Sequence, residues 1–298
     1  MSNTTDNTAP ASPIVPVQLD LEEKFQFRCH RGIACFNKCC ENIDIMLTPY
    51  DIVRLKQRLG ITAREFIDSF TTDFALDGHG MPGLKLRTQA NSTACINLTP
   101  KGCGVYADRP AACRYYALGL VSMRSKDALR EEDSYFVVKE EHCLGHNEPV
   151  AQTVRNYRKE QGVDRYDEIN REWRQIILKK RSSGPTVGRP SERSFELFFL
   201  ASYDVDGFRD FIASAGFGEV FELDLAFRQE LLQDDVKLLK FGFRLLKQVL
   251  FSEHTIPLKP GTAAQRSARL RERAAQRLAG RAGDLADAQD KIYESLGD

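Results

Sequence analysis

Apolar and polar positions change period several times along the chain, and each change marks an element. Residues 43–47 alternate, with Ile43, Ile45 and Leu47 on one side, as in a short strand. From Ile52 the spacing turns helical: Ile52, Val53, Leu55 and Leu59 form one apolar stripe. Thr48-Pro49 supplies the start of that helix, Thr as N-cap and Pro at the first helical position, and Gly60 ends it. Thr62 and Glu65 make a capping-box pair for a second helix running to about Phe70. After the turn signals Gly78, Gly80, Pro82 and Gly83, Leu84, Leu86 and Thr88 alternate as a strand. Residues 118–123 and 134–139 alternate as the two strands of a hairpin.

Downstream the pattern is helical almost throughout. Residues 149–161 and 164–181 read as two helices, 182–190 as a Gly/Pro/Ser linker, and 191–202, 206–215 and 226–251 as further helices. Phenylalanines crowd this part, among them Phe195, Phe198, Phe208, Phe217, Phe241 and Phe243. They read first as a helical core, and second as a docking surface for a protein partner. The expected class is therefore α+β: a loop-rich domain with short strands and helices over 20–148, then a helical region over 149–258. Residues 1–19, rich in Thr, Asn, Ala and Pro, are expected to be disordered. Residues 259–298 form an Ala/Arg-rich tail, with seven basic side chains against one Glu over 259–281.

Composition narrows the function. The formal net charge is zero, and the balance holds on both sides of Glu160, so nothing global points to nucleic acid. No run of about 18 apolar residues predicts a membrane span, and the N-terminal stretch lacks the basic and apolar regions of a signal peptide. The expected location is cytoplasmic, where disulfides rarely persist.

That expectation changes the meaning of eight cysteines. Cys29, Cys35, Cys39 and Cys40 lie in FRCHRGIACFNKCC, a C-x5-C-x3-C-C pattern interleaved with His30, Arg31, Asn37 and Lys38. Buried cysteines that merely pack are scattered, whereas clustered thiolates are soft ligands for zinc, copper(I) or iron–sulfur centres. A second run holds Cys95, Cys103, Cys113 and Cys143, in loop-like sequence broken by Pro100, Gly102, Gly104 and Pro110. Four thiols suffice for one tetrahedral zinc or one cubane cluster, so eight serve two mononuclear sites, two clusters or one polynuclear site. Adjacent side chains diverge, so Cys39 and Cys40 suit a single four-thiolate site poorly, and the two runs are expected to build one shared site. Arg109 and Arg114 would sit beside a multiply anionic site and stabilise its thiolates. His30, His142 and His146 adjoin cysteines and could substitute as ligands, and Glu41 and Asp44 follow the first run and could complete an iron site; the default is a surface role or one beside the ligands for the histidines, and solvation for the two acids.

At these residues the chain resembles the YkgJ-type cysteine-cluster family, described as a zinc- or iron-chelating domain. The likeness rests on Cys39-Cys40 closing the first run, on GCGVYADRPAACR from Gly102 to Arg114, and on Cys143-Leu144-Gly145. The wide spacing of the first run is also similar to that of flagellin lysine-N-methylases, which the resemblance associates with an iron–sulfur centre and S-adenosylmethionine. Ala117 and Leu144 stand where the YkgJ-type family commonly has proline. The resemblance implies a metal ion as partner and zinc or iron, including an iron–sulfur cluster, as cofactor. The function expected is metal binding in a structural, metal-handling or redox role; the alternative is an iron–sulfur enzyme such as a methyltransferase.

Overall fold

The computed structural model describes residues 14–124, 131–182 and 190–262, together with residues 264, 268, 271, 272, 275 and 276. The linker at 183–189, the first 13 residues and most of the expected tail lie outside the described residues. The fold is α+β: about 51% helix and 18% strand, the strands short and gathered in small sheets.

Among the described residues all strand pairing is antiparallel. β1 (Ile14–Leu19) lies beside β9 (Glu131–Val138), which pairs on its other edge with β8 (Leu118–Arg124). The hairpin of β8 and β9 is the one the alternation predicts. β1 falls within the stretch expected to be disordered. Its average composition is polar, but Ile14, Val15, Val17 and Leu19 are concentrated at its end, and Leu19 is buried opposite Tyr135. The register shifts between Ile14 and Gln18, around Pro16, which has no amide hydrogen to give to a ladder. β2 (Lys24–Gln26) pairs with β10 (Ala151–Thr153), so the helix expected from residue 149 begins only at Val154. β5 (Pro82–Leu86) lies between β3 (Met46–Leu47) and β4 (Thr71–Ala75), and β6 (Leu98–Thr99) pairs with β7 (Gly102–Cys103).

Two helices follow their sequence signals closely. In α1 (Pro49–Leu59), Thr48 is the N-cap, Asp51 returns a capping box, and Gly60 ends the helix at φ 69°. In α2 (Ala63–Phe70), Thr62 and Glu65 form the second box. α3 (Ala111–Tyr115), α4 (Val154–Gln161) and α5 (Val163–Ser182) come next, followed by α6 (Glu192–Ser202) and α7 (Val205–Ala213). A short α8 (Ala215–Val220) lies in a segment without a helical prediction. The long helix expected over 226–251 is two helices, α9 (Leu225–Gln233) and α10 (Asp235–Phe251). Asp234 divides them: its backbone is extended at φ −126°, and its carboxylate accepts from the amides of Val236 at 2.8 Å and Lys237 at 3.0 Å. A short side chain that bonds the local backbone competes with helix continuation.

Two hydrophobic cores cut across the boundary expected at residue 148. The larger joins Leu47, Ile52, Leu55, Phe66 and Leu84 to Trp173, Phe198, Phe208, Leu238 and Phe243. The smaller joins Leu19, Phe25 and Phe27 to Tyr115, Leu118, Tyr135, Val154 and Tyr157. Helix α10 is buried along Leu238, Leu239, Phe241, Gly242, Phe243, Leu245 and Leu246. A Cβ on Gly242 would stand 3.0 Å from the Ala201 carbonyl, so α6 and α10 approach backbone to backbone there. Phe198, Phe208, Phe217, Phe241 and Phe243 all face this core, which turns the ring-rich segment inward.

Candidate metal centre

The first cysteine run is a chain of tight turns. The Ile33 amide bonds the His30 carbonyl at 3.2 Å, Phe36 bonds Ile33 at 3.0 Å, and Lys38 bonds Cys35 at 3.0 Å. Asn37 then takes a left-handed conformation at φ 71°, and Lys38–Cys40 close a single 3-10 turn. Asparagine tolerates that conformation better than most residues.

The two ends of this run are fastened to different parts of the second. At the near end, the Arg28 amide donates to the Gly145 carbonyl at 3.0 Å, and the Leu144 amide donates to Cys35 Sγ at 3.2 Å. Gly145 makes the approach possible. A Cβ there would lie 2.6 Å from the Phe27 ring and 3.0 Å from the Arg28 carbonyl. At the far end, the Cys95 amide donates to the Cys40 carbonyl at 2.7 Å, and Asn42 bonds Thr93 at 2.9 Å. Glu41 and Ala94 form an isolated bridge beside them. Cys103 pairs with Leu98 in the β6–β7 ladder, and Gly102, at φ 108°, lies against the Phe36 ring. Cys113 rides on α3, whose first amide, Ala111 N, is held by Asp51 Oδ1 at 2.8 Å.

All eight cysteines are free thiols. Their mutual influence follows the same division. Burial pushes the Cys29 thiol up to about 11, and the neighbouring Cys39, Cys35 and Cys143 push it the same way. Burial also raises Cys143, with Cys35 and Cys39 adding to the effect. On the other side, burial raises Cys95, helped by Cys103 and Cys39. It raises Cys103, helped by Cys39. It raises Cys113 strongly, with Cys95, Asp51, Cys103 and Cys39 all contributing. Cys39 is thus within electrostatic reach of both groups. Its own thiol is raised first by a hydrogen bond with the Cys40 side chain and then by burial. Among the described residues, no three Cys, His, Asp or Glu side chains stand close enough to close a coordination shell as they are.

The two arginines differ. Arg109 lowers the thiols of Cys29 and Cys103, while its guanidinium stacks 4.1 Å from the Tyr106 ring and donates to Gln161 Oε1 at 2.6 Å. Arg114 spends its guanidinium on the carbonyls of Arg109, Gln161 and Ala107 and lies 4.5 Å from the Tyr166 ring. It is a tie between α3 and the end of α4. His30 bonds the Gly32 amide and pairs with Glu148 at 3.4 Å; His142 pairs with Glu140 at 3.6 Å. The ring nitrogens of buried His146 face the carbonyls of Gln26 and Val138. Glu41 pairs with Lys38, and Asp44 with Lys85 at 2.5 Å.

Two positioning residues escape the sequence reading. Asp51 is signalled by its place three residues after Thr48, but nothing in the sequence says that it also holds Ala111. Tyr116 carries no signal at all. Its hydroxyl donates to Glu140 and is also hydrogen-bonded to Cys143, whose thiol it pulls down.

Residues 28–144 match a family model, CxxCxxCC, described as "Putative zinc- or iron-chelating domain". The match covers less than half of the chain, and over it this segment is similar to that cysteine-cluster family. No curated protein and no solved structure matches the chain significantly. The cysteine-cluster domain fits a thiophilic metal by the chemistry of its donors: eight thiols outside disulfides, drawn from both runs, with Arg109 lowering two of them. No helix among the described residues is long and apolar enough to cross a membrane.

Proposed function

We propose that the cysteine-cluster domain binds zinc or iron through Cys29, Cys35, Cys39, Cys40, Cys95, Cys103, Cys113 and Cys143, as one centre shared by both runs. The observation that carries this reading is the position of the first run. Its near end is hydrogen-bonded to Cys143's neighbours and its far end to Cys95, which supports a centre that draws on both runs. Burial raises the Cys29 and Cys113 thiols, so metal binding there must release protons, and affinity rises with pH. Arg109 supplies positive charge beside the thiolates so formed. Arg114 supports the site only through the backbone it ties.

The role is metal handling or structural stabilisation of the loops, in a cytoplasmic setting where the thiols remain reduced. The aromatic side chains of the helical region face inward, which argues against an adaptor that docks through them. Anaerobic purification of the full chain without an affinity-tag metal, followed by elemental analysis and an absorption spectrum, tests the reading. At least about one equivalent of zinc or iron per chain is expected, colourless for zinc and brown for an iron–sulfur cluster. Folded protein with less than about a tenth of an equivalent of both together would overturn it.

A further inference from the structure

The family match names a chelating domain but not which thiols act together. Grouping the thiols by sequence order would give one site per run. The backbone contradicts that grouping at Cys143. Cys143 stands at the far end of the second run in sequence, 30 residues after Cys113. Yet its neighbour Leu144 donates to Cys35 Sγ at 3.2 Å, and Gly145 accepts from Arg28, the residue before Cys29. The missing side chain of Gly145 lets the Phe27 ring and the Arg28 carbonyl close on this turn. Cys143 therefore belongs with Cys29 and Cys35. Cys95 and Cys103 are joined instead by the β6–β7 hairpin: Leu98 donates to the Cys95 carbonyl at 2.9 Å and pairs with Cys103. Ala111, on the same short helix as Cys113, packs with Cys95 and Cys103 against the larger core, whereas Cys143 packs against the smaller one.

Each set of three lacks one donor for a tetrahedral thiolate site. The adjacent pair Cys39 and Cys40 lies between them. The Cys40 carbonyl accepts from the Cys95 amide, and the turn that carries Cys39 and Cys40 begins at Cys35, whose carbonyl accepts from Lys38. Side chains of consecutive residues diverge, which disfavours a single site for both but suits one for each of two. We infer that the domain holds two metal ions in interleaved sets, Cys29, Cys35 and Cys143 in one, Cys95, Cys103 and Cys113 in the other. Cys39 and Cys40 supply the fourth thiolate of each. The inference rests on the metal-chelating reading above and resolves its shared centre into two adjoining ions, each drawing donors from both runs. It also explains why the two runs fold as a unit: the adjacent pair couples the sites through one peptide.

Counting ions by native mass spectrometry tests this, with the full chain loaded with zinc and, in parallel, with iron(II) under nitrogen. Wild type should carry two ions. Cys35→Ser/Cys143→Ser should keep one, because both losses fall in one set. Cys113→Ser/Cys143→Ser should keep none tightly, because each set is damaged. Grouping by run predicts the reverse, one ion for the second double variant and none for the first, and would overturn the inference. So would a wild type saturating at one ion. Because a variant can fail to fold, the wild type is also stripped stepwise with a chelator and alkylated. Cys29, Cys35 and Cys143 should become reactive in one step, and Cys95, Cys103 and Cys113 in the other. Release of Cys143 together with Cys113 would overturn the grouping. A wild type that takes up neither metal would instead defeat the metal reading itself.

Discussion

The helical body and the cysteine loops are held in place by opposite means. In the helical body the groups that fix the fold are apolar and already in contact: Phe198, Phe208 and Phe243 are fully buried, and α10 is covered by α1, α5, α6, α7 and α9. Between Arg28 and Cys40 the only core side chains are few, Ile33 chief among them; order comes from turns, a 3-10 turn and a handful of backbone bonds to residues 93–95 and 144–145. A loop with so little apolar burial sits at the low-stability end of a structure unless something else ties it. Clustered free thiols are the side chains available to do so. The contrast teaches where metal acts: on the loops, with the helical body as the frame that α1 and Asp51 connect to α3.

Variants should separate the two regions. The largest effect expected is from Cys39→Ser/Cys40→Ser. It removes donors from both thiol sets and should abolish tight metal binding, a loss of several kcal/mol of the roughly 10–16 kcal/mol typical of structural zinc. The far-UV spectrum of the helices should stay unchanged. Metal titration alongside circular dichroism checks both, and retention of full metal would break the account. This double substitution is a cleaner probe than deleting residues 1–45, which would also remove Leu19, Phe25 and Phe27 from the smaller core.

Phe243→Ala is the converse. Its ring is fully buried in the larger core, so truncation should cost about 3–5 kcal/mol in denaturant unfolding. Below the unfolding transition the metal content should match wild type. A variant that lost its metal while still folded would show that the two regions are not separable.

These expectations draw on how differently the two regions could be read. Helices α1 and α2 were legible to the residue, because Thr48, Pro49, Gly60, Thr62 and Glu65 are local signals whose partners lie within a turn. The break at Asp234 was not: Asp is tolerated inside a helical pattern, and only its bonds to Val236 and Lys237 show that it caps instead. Strand β1 was hidden by averaging over a polar arm, since its partner β9 is more than a hundred residues away. For the candidate site, the cysteines were conspicuous by density, but their grouping was not. It depends on Leu144 meeting Cys35 and on Cys95 meeting Cys40, contacts that spacing along the chain does not encode. Arg109 and Arg114 looked equivalent in sequence, and only the carbonyl partners of Arg114 distinguish them.

That distinction gives a smaller effect. Arg109→Ala should weaken metal binding about 10–100-fold, as changes just outside a metal's ligands typically do. In the metal-free protein it should also raise the thiols of Cys29 and Cys103, which Arg109 lowers. Chelator competition and thiol-reactivity pH profiles measure the two; unchanged values in both would remove Arg109 from the site.

The smallest effect concerns pH. In the metal-free protein the Cys29 thiol is raised from 9.0 to about 11, chiefly by burial of a group that resists ionising there. The stability linked to it is complete below about pH 9 and is lost as pH rises through about 11. Thermal unfolding of metal-free protein should therefore move to lower temperature across that window. Metal-loaded protein, whose thiols are already ionised on the metal, should move less. Equal shifts for the two forms would count against thiol ligation.

The central claim, that metal orders the cysteine loops while apolar packing orders the helices, is tested most directly by amide hydrogen exchange on metal-loaded and chelated protein. The account predicts that removing metal strips protection from residues 35–41, 94–103 and 143–145 and leaves α5, α6 and α10 as they were. Protection that falls uniformly over the whole chain, or changes nowhere, would contradict it.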